Sequence, residues 1–323
     1  MSQKKDYTFA VARIRAKENT LLSDNDISVL MSAKNFDECL NLLADKGWNT
    51  ENISDYEEIF QQQENLLWDF MRELADDLSD FNVFICQKDF FNLKSAVKAV
   101  ISDSSTDGIF LRSGNVPAET IYNAVKNKEY SLIPDYLSVC AKEAVKTLLQ
   151  TRDGQLCDII IDRALLEYIN KLALNSNSDI VKLYANTLVA VANIKIAVRC
   201  SKTNKQSDFI RIAVSECNTL NRDMLIKAAS MGIDEICNYL SFTDYRGAVE
   251  ALKKSPSAFE IWCDNKLTES LQPQKWEPFS IGPLIAYVFA KENEIKTVRI
   301  ILSAKANNLD NEIIKERLRK MYV

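Results

Sequence analysis

A short pattern returns three times in this chain at one fixed interval, and that interval restricts the possible folds more than any other feature. Phe91-Asn92-Leu93-Lys94-Ser95-Ala96-Val97 recurs as Ala192-Asn193-Ile194-Lys195-Ile196-Ala197-Val198 and again as Asn293-Glu294-Ile295-Lys296-Thr297-Val298-Arg299. Asn92 to Asn193 and Asn193 to Glu294 are both steps of 101 residues. A looser copy is Ala12-Arg13-Ile14-Arg15-Ala16-Lys17. Each copy is followed by an acidic or Asn cap and a short helix pattern, beginning near Ser23, Val116, Leu220 and Leu309. Helical solenoids repeat at about 33 to 47 residues, so a generic repeat scaffold does not fit. The expected units are 1–91, 92–192 and 193–293, with 294–323 a partial copy completing the first. Three like units closing head to tail predict a pseudo-threefold, funnel-like body.

Those units are expected to be all-α. The 323 residues hold only 7 Gly and 6 Pro, too few for the closely spaced turns of sheets or for glycine-rich phosphate loops. Ser23 or Asp24 caps a first short helix, and Phe36, Leu40 and Leu43 predict a second that stops at Gly47. Ile59, Leu66, Phe70, Leu74 and Leu78 predict a long helix over 54–80, roughly 40 Å at 1.5 Å per residue. The stretch 102–108 reads as a loop. Further helices are predicted near 118–128, 131–151, 156–174, 179–201, 207–219, 222–240, 243–253, 257–271, 283–305 and 310–321. Asn82–Cys86 is the single strand candidate, and it sits between helical stretches.

Histidine is absent from the sequence, which excludes Ser-His-Asp and Cys-His catalysis and His-based zinc sites. Cys39, Cys86, Cys140, Cys157, Cys200, Cys217, Cys237 and Cys263 form no C-x-x-C pair, and no signal-peptide pattern opens the sequence. They read as reduced thiols packed in helices of a cytosolic protein. The net charge of −5 argues against a nucleic-acid surface. The short basic runs Lys4-Lys5 and Glu316-Arg317-Leu318-Arg319-Lys320 read as solvated helix ends. Trp48, Trp68, Trp262 and Trp276 are scattered, as core or interface residues are, rather than grouped as a base-stacking platform. No stretch approaches 18 consecutive apolar residues, so no membrane span is expected.

An enzyme alternative rests on Asp76-Asp77-Leu78-Ser79-Asp80, a D-D-x-x-D of the kind that holds Mg²⁺ in all-α prenyl-diphosphate enzymes. Carboxylates at i, i+1 and i+4 gather near one helix face and supply hard oxygen ligands. The chemistry also needs a second acidic motif and an arginine pair for the diphosphate. The chain offers only Asp158 and Asp162, the latter followed by Arg163. The acidic run therefore reads as the solvated C-terminal end of the long helix.

Several segments, in order and nearly along the whole chain, carry a family resemblance. They are Tyr7-Thr8-Phe9-Ala10-Val11-Ala12-Arg13-Ile14-Arg15-Ala16-Lys17-Glu18 with Leu21-Leu22, Asp89-Phe90-Phe91-Asn92-Leu93-Lys94 and Asp162-Arg163-Ala164-Leu165-Leu166-Glu167-Tyr168. Asn193-Ile194-Lys195 follows, then Gly282-Pro283-Leu284-Ile285-Ala286-Tyr287-Val288-Phe289-Ala290-Lys291-Glu292-Asn293-Glu294-Ile295-Lys296 through Arg299-Ile300-Ile301-Leu302, and finally Arg317-Leu318 and Tyr322-Val323. The sequence resembles the C subunit of bacterial and archaeal V/A-type rotary ATPases, the counterpart of the d subunit of the eukaryotic V-ATPase. It departs at Phe90-Phe91, where a more polar aromatic pair is usual, and at Ser303-Ala304, where a glycine-containing turn is usual.

The resemblance implies three similar helical subdomains around a central cavity. It implies a non-catalytic socket joining the central stalk to the membrane rotor ring, peripheral on the cytoplasmic face, with no cofactor, metal, nucleic acid or small-molecule ligand. The basic residues Arg13, Lys94, Lys195 and Lys296, taken as repeat-equivalent, are expected to satisfy helix ends inside each unit rather than to line the cavity and meet an acidic partner.

Overall fold

The computed structural model describes residues 6–50, 56–315 and 317–323, and every secondary-structure element among them is helical. Lys4, Lys5, Glu316 and the first residues of the expected long helix lie outside the described set. The chain divides into two compact units. One joins residues 1–78 to 247–323, and the other is 79–246.

The second unit contains α5 (Asn82–Ser102), α6 (Ala118–Asn127), α7 (Asp135–Thr151), α8 (Gly154–Asn175), α9 (Asp179–Lys202), α10 (Ser207–Ala213), α11 (Arg222–Met231) and α12 (Ile233–Leu240). Phe90, Leu93 and Val97 of α5 meet Ile121 and Val125 of α6, Leu137 and Ala144 of α7, and Ile161 of α8 in one core. Leu166 and Ile169 of α8 pack with Ala185 and Val189 of α9 in another. Helix α9 is long and apolar enough to cross a membrane by composition, yet 61% of that window is buried inside the protein. Its apolarity is that of a core helix.

The first unit contains α1 (Thr8–Glu18), α2 (Asp24–Ser32), α3 (Phe36–Asp45) and α4 (Glu57–Leu74), followed after the other unit by α13 (Gly247–Lys254), α14 (Pro256–Leu271), α15 (Gly282–Ala306) and α16 (Asn311–Lys315). Ile295, Val298 and Leu302 of α15 complete the core made by Leu22, Ile27, Leu43, Trp48 and Phe60. The 25-residue α15, near the C-terminus, therefore completes a core whose other residues come mostly from the N-terminal helices.

Several helix boundaries differ from the sequence expectation, each for a local reason. Helix α4 ends at Leu74, where Ala75 turns extended. The following Asp76-Asp77 would put two carboxylates at the negative end of the helix dipole. Asn82–Cys86 is the first turn of α5, not a strand. Pro134 removes a backbone donor and turns Ile133 extended, so α7 starts at Asp135. The expected helix over 222–240 is two helices, because Gly232 takes φ +132°, a conformation L-residues avoid.

The C-terminal basic run is not a helix end either. The described residues 317–323 carry no helix. Arg319 bonds Asp264 of α14 at 2.6 Å, the Lys320 N–H donates to Asn265, and Met321 and Tyr322 are buried. The eight cysteines are reduced thiols, and seven are buried. Cys217 alone is half-buried, and it lies outside any helix. Burial pushes the Cys140 thiol up to about 12 and that of Cys157 up to about 11, so neither is nucleophilic at neutral pH.

Candidate functional site: buried clamps and interface residues

The repeated motif places a polar residue inside each of three long helices, and in each it binds the backbone of a loop. On α5, the Asn92 amide donates to the Leu111 carbonyl and accepts the Leu111 N–H, both at 2.8 Å. On α9, Asn193 does the same to Ser215, at 2.9 and 3.1 Å. Both asparagines are buried. Leu111 and Ser215 each stand seven residues before the next helix of the pattern, α6 or α11. The Asn193 bonds also explain why α10 stops at Ala213 rather than running to 219. Ser215 gives the Asn193 side chain the two backbone groups that a helix would need.

On α15 the equivalent residue is Glu294, fully buried. One carboxylate oxygen accepts the Leu22 N–H at 2.6 Å, and the other accepts Lys291 at 2.5 Å. Leu22 occupies the loop position that Val116 holds before α6. The Val116 N–H is accepted by another buried carboxylate, Asp89, at 3.1 Å. Asp89 also accepts from Tyr136 and Asn115. A Cβ at Gly114 would lie 2.3 Å from its carboxylate, so that position needs glycine. Burial raises the Asp89 pKa above the ordinary carboxylate value, with its three donors opposing the shift. The helices after these loops bury matching residues: Ile27, Ile121 and Leu225, then Leu30, Ala124 and Ala228.

Of the four basic positions singled out from sequence, Arg13 and Lys296 belong to the first unit and Lys94 and Lys195 to the second. Lys94 and Lys98 of α5 pair with Asp162 and Asp158 of α8, at 2.5 and 2.8 Å. Two i, i+4 pairs of opposite sign thus meet along antiparallel helices. Arg13 pairs with Glu73 at 2.9 Å and lies over the Phe70 ring. Lys195 is half-buried on α9, and Lys296 is exposed on α15. The register that aligns Ile14 with Leu93 puts Arg15, not Arg13, at the lysine position. Arg15 pairs with Glu18 and donates to the carbonyls of Gln274 and Glu277, fixing the loop ahead of α15.

Asp76 and Asp77 are exposed and lie beyond the end of α4, so the acidic run does not share a helix face. Asp80 accepts the Ser176 hydroxyl at 2.7 Å. Among the described residues no group of acids or cysteines is arranged to hold a metal ion. Of the tryptophans, Trp48 and Trp68 are core residues, whereas Trp276 is 86% exposed, beside exposed Phe279 on the Arg15-held loop. Phe90 is buried and Phe91 half exposed, and Ser303-Ala304 continues α15 as helix.

What these residues build is a set of long helices with loops tied to them by buried polar side chains. The family described as ATP synthase (C/AC39) subunit matches residues 10–317, and the chain belongs to that family. It is similar to the C subunit of the V-type sodium ATPase of Enterococcus hirae, 21% identical over 317 residues that cover 96% of this chain and 97% of the relative. It is also similar to the C subunit of the A-type ATP synthase of Methanocaldococcus jannaschii, at 23% identity with 97% and 86% covered. Methanobrevibacter smithii has a relative of the same description at 24% identity, with 93% and 84% covered. The family is a non-catalytic structural component of the rotary ATPase, so this chain is part of a V/A-type ATPase complex, a membrane-associated assembly. The prenyl-diphosphate alternative finds no support in these relatives.

Proposed function

We propose that this chain is the socket between the central stalk and the membrane rotor ring of its complex, on the cytoplasmic face, passing torque from ATP turnover to ion movement or back. The observation that carries the reading is the family match along nearly the whole chain. The clamps support it: a torque-bearing part must resist shear between helices and loops, and buried bidentate bonds resist displacement better than surface ion pairs.

The repeat reading belongs to the same proposal. Buried polar residues spaced by 101 residues mark three like units, with α15 and the N-terminal helices as one unit split across the chain ends. We read the units as arranged with approximate threefold symmetry. Arg13, Lys94, Lys195 and Lys296 serve contacts within units, a reading supported by the Glu73 and Asp162 pairs.

Co-purification from native membranes tests the assignment. The tagged chain brings down rotor-ring and central-stalk proteins if the reading holds. Recovery of the chain with no other ATPase component contradicts it.

A further inference from the structure

The unit completed by α15 carries a cleft that the clamps do not account for. It lies among α1, the end of α3, α4 and α15, with a volume of about 430 Å³, the size of a ligand or side-chain pocket. Phe70, Tyr287 and Trp48 give it an aromatic wall, and Leu66 is 61% exposed on its lining. Arg13, Lys17, Lys46 and Lys291 face it, against two carboxylates, Asp69 and Glu73. This is a cationic concavity in a chain of net charge −5.

Among the described residues, the ion pairs around the cleft account for every lining charge except that of Lys17. Asp69 is taken by Arg72 and Glu73 by Arg13. Lys46 pairs with Asp26, and Lys291 with the clamp residue Glu294. Lys17 is exposed, sits 5.7 Å over the Phe70 ring, and makes no ion pair among the described residues. It stands four residues from Arg13 on the same face of α1, so the two cations can meet one carboxylate together. Cation, aromatic wall and exposed aliphatic side chain in one concavity are the features of a protein-interface pocket.

Resting on the reading that the chain is built into the rotary complex, we propose that this cleft docks an acidic segment of another protein of that complex. The segment presents a carboxylate to Lys17 and Arg13 and an apolar side chain to Phe70 and Leu66. The unpaired Lys17 selects a carboxylate-bearing segment over a neutral helix, and the place of the chain in a multi-protein complex supplies such a segment from another protein.

The test places the photo-cross-linker p-benzoylphenylalanine at Leu66, assembles the variant into the native complex, and maps the adducts by mass spectrometry. An adduct on an Asp- or Glu-rich segment of another protein of the complex is expected. Its yield should fall about tenfold in the Lys17→Glu background, with thermal unfolding unchanged. Co-purification without an adduct, or adducts confined to lipid or to neutral or basic segments, overturns the docking proposal while leaving the assignment standing. An unmodified folded chain that never enters the complex overturns the assignment itself, and its co-purification is read separately.

Discussion

Glu294 accepts the backbone N–H of Leu22 at 2.6 Å, across 272 residues of chain. The bond ties the last long helix to the loop before α2. The carboxylate has no exposure and its other oxygen takes Lys291. Removing one partner of such a group leaves the rest buried and unpaired, which costs about 3–5 kcal/mol. Glu294→Ala is therefore expected to lower stability by that amount and to speed hydrogen exchange at the Leu22 amide. Unchanged exchange at Leu22 would show that the bond does not hold the unit closed.

Asn92 and Asn193 make the same pair of bonds on different helices, so their loss should look alike. Asn92→Ala and Asn193→Ala each leave a backbone donor and acceptor unpaired, at about 3 kcal/mol. Urea unfolding reads the loss. Amide exchange should accelerate locally at Leu111 in one variant and at Ser215 in the other.

Asp89 should make stability depend on pH. Its folded pKa lies above the ordinary value of 3.8 because burial penalises the charged form. The native state then holds a proton that the unfolded state has released in the window just above 3.8, so this residue's contribution weakens as pH rises through that window. Compared with Asp89→Asn, wild type should gain stability as pH falls from neutral toward the ordinary carboxylate value of 3.8. An unfolding difference that is flat across that range contradicts the shift.

The Lys94–Asp162 pair is half exposed and should contribute only about 0.5–1 kcal/mol. Lys94→Glu is expected to destabilise by slightly more than that, through repulsion with Asp162 and Asp158. Adding Asp162→Lys should restore most of the loss. A double-mutant cycle with no coupling would mean that the two side chains are held apart in solution.

Gly232 separates α11 from α12 at φ +132°. A Cβ there meets nothing within 4 Å, so Gly232→Ala is a test of backbone strain alone. The expected loss is about 1–3 kcal/mol, read by thermal unfolding. Unchanged stability would point to one continuous helix over 222–240 in solution.

Most of the helical architecture was legible in the sequence, because apolar spacing and scarce Gly and Pro act locally. The 101-residue step was legible too, and it drew attention to the lysine of each copy. Lysine stood out as the charged position, yet the side chains that hold the loops are Asn92, Asn193 and Glu294. The signal available was a polar residue inside an apolar helical stretch, repeated at one interval. What spacing could not show was burial, or which backbone groups 19 or 22 residues downstream would meet the amide. The α10 boundary was hidden for the same reason, since Asn193 diverts Ser215 from the helix. The C-terminal tail was misread because its Arg319 partner, Asp264, lies 55 residues upstream.

Removing this protein from the assembled rotary ATPase and measuring ATP hydrolysis together with ion transport tests the central claim most directly. A coupling socket predicts that the catalytic head still hydrolyses ATP while ATP-driven transport is lost, and that adding the chain back restores transport. Transport that continues at the same ion-to-ATP ratio without the chain would contradict the account.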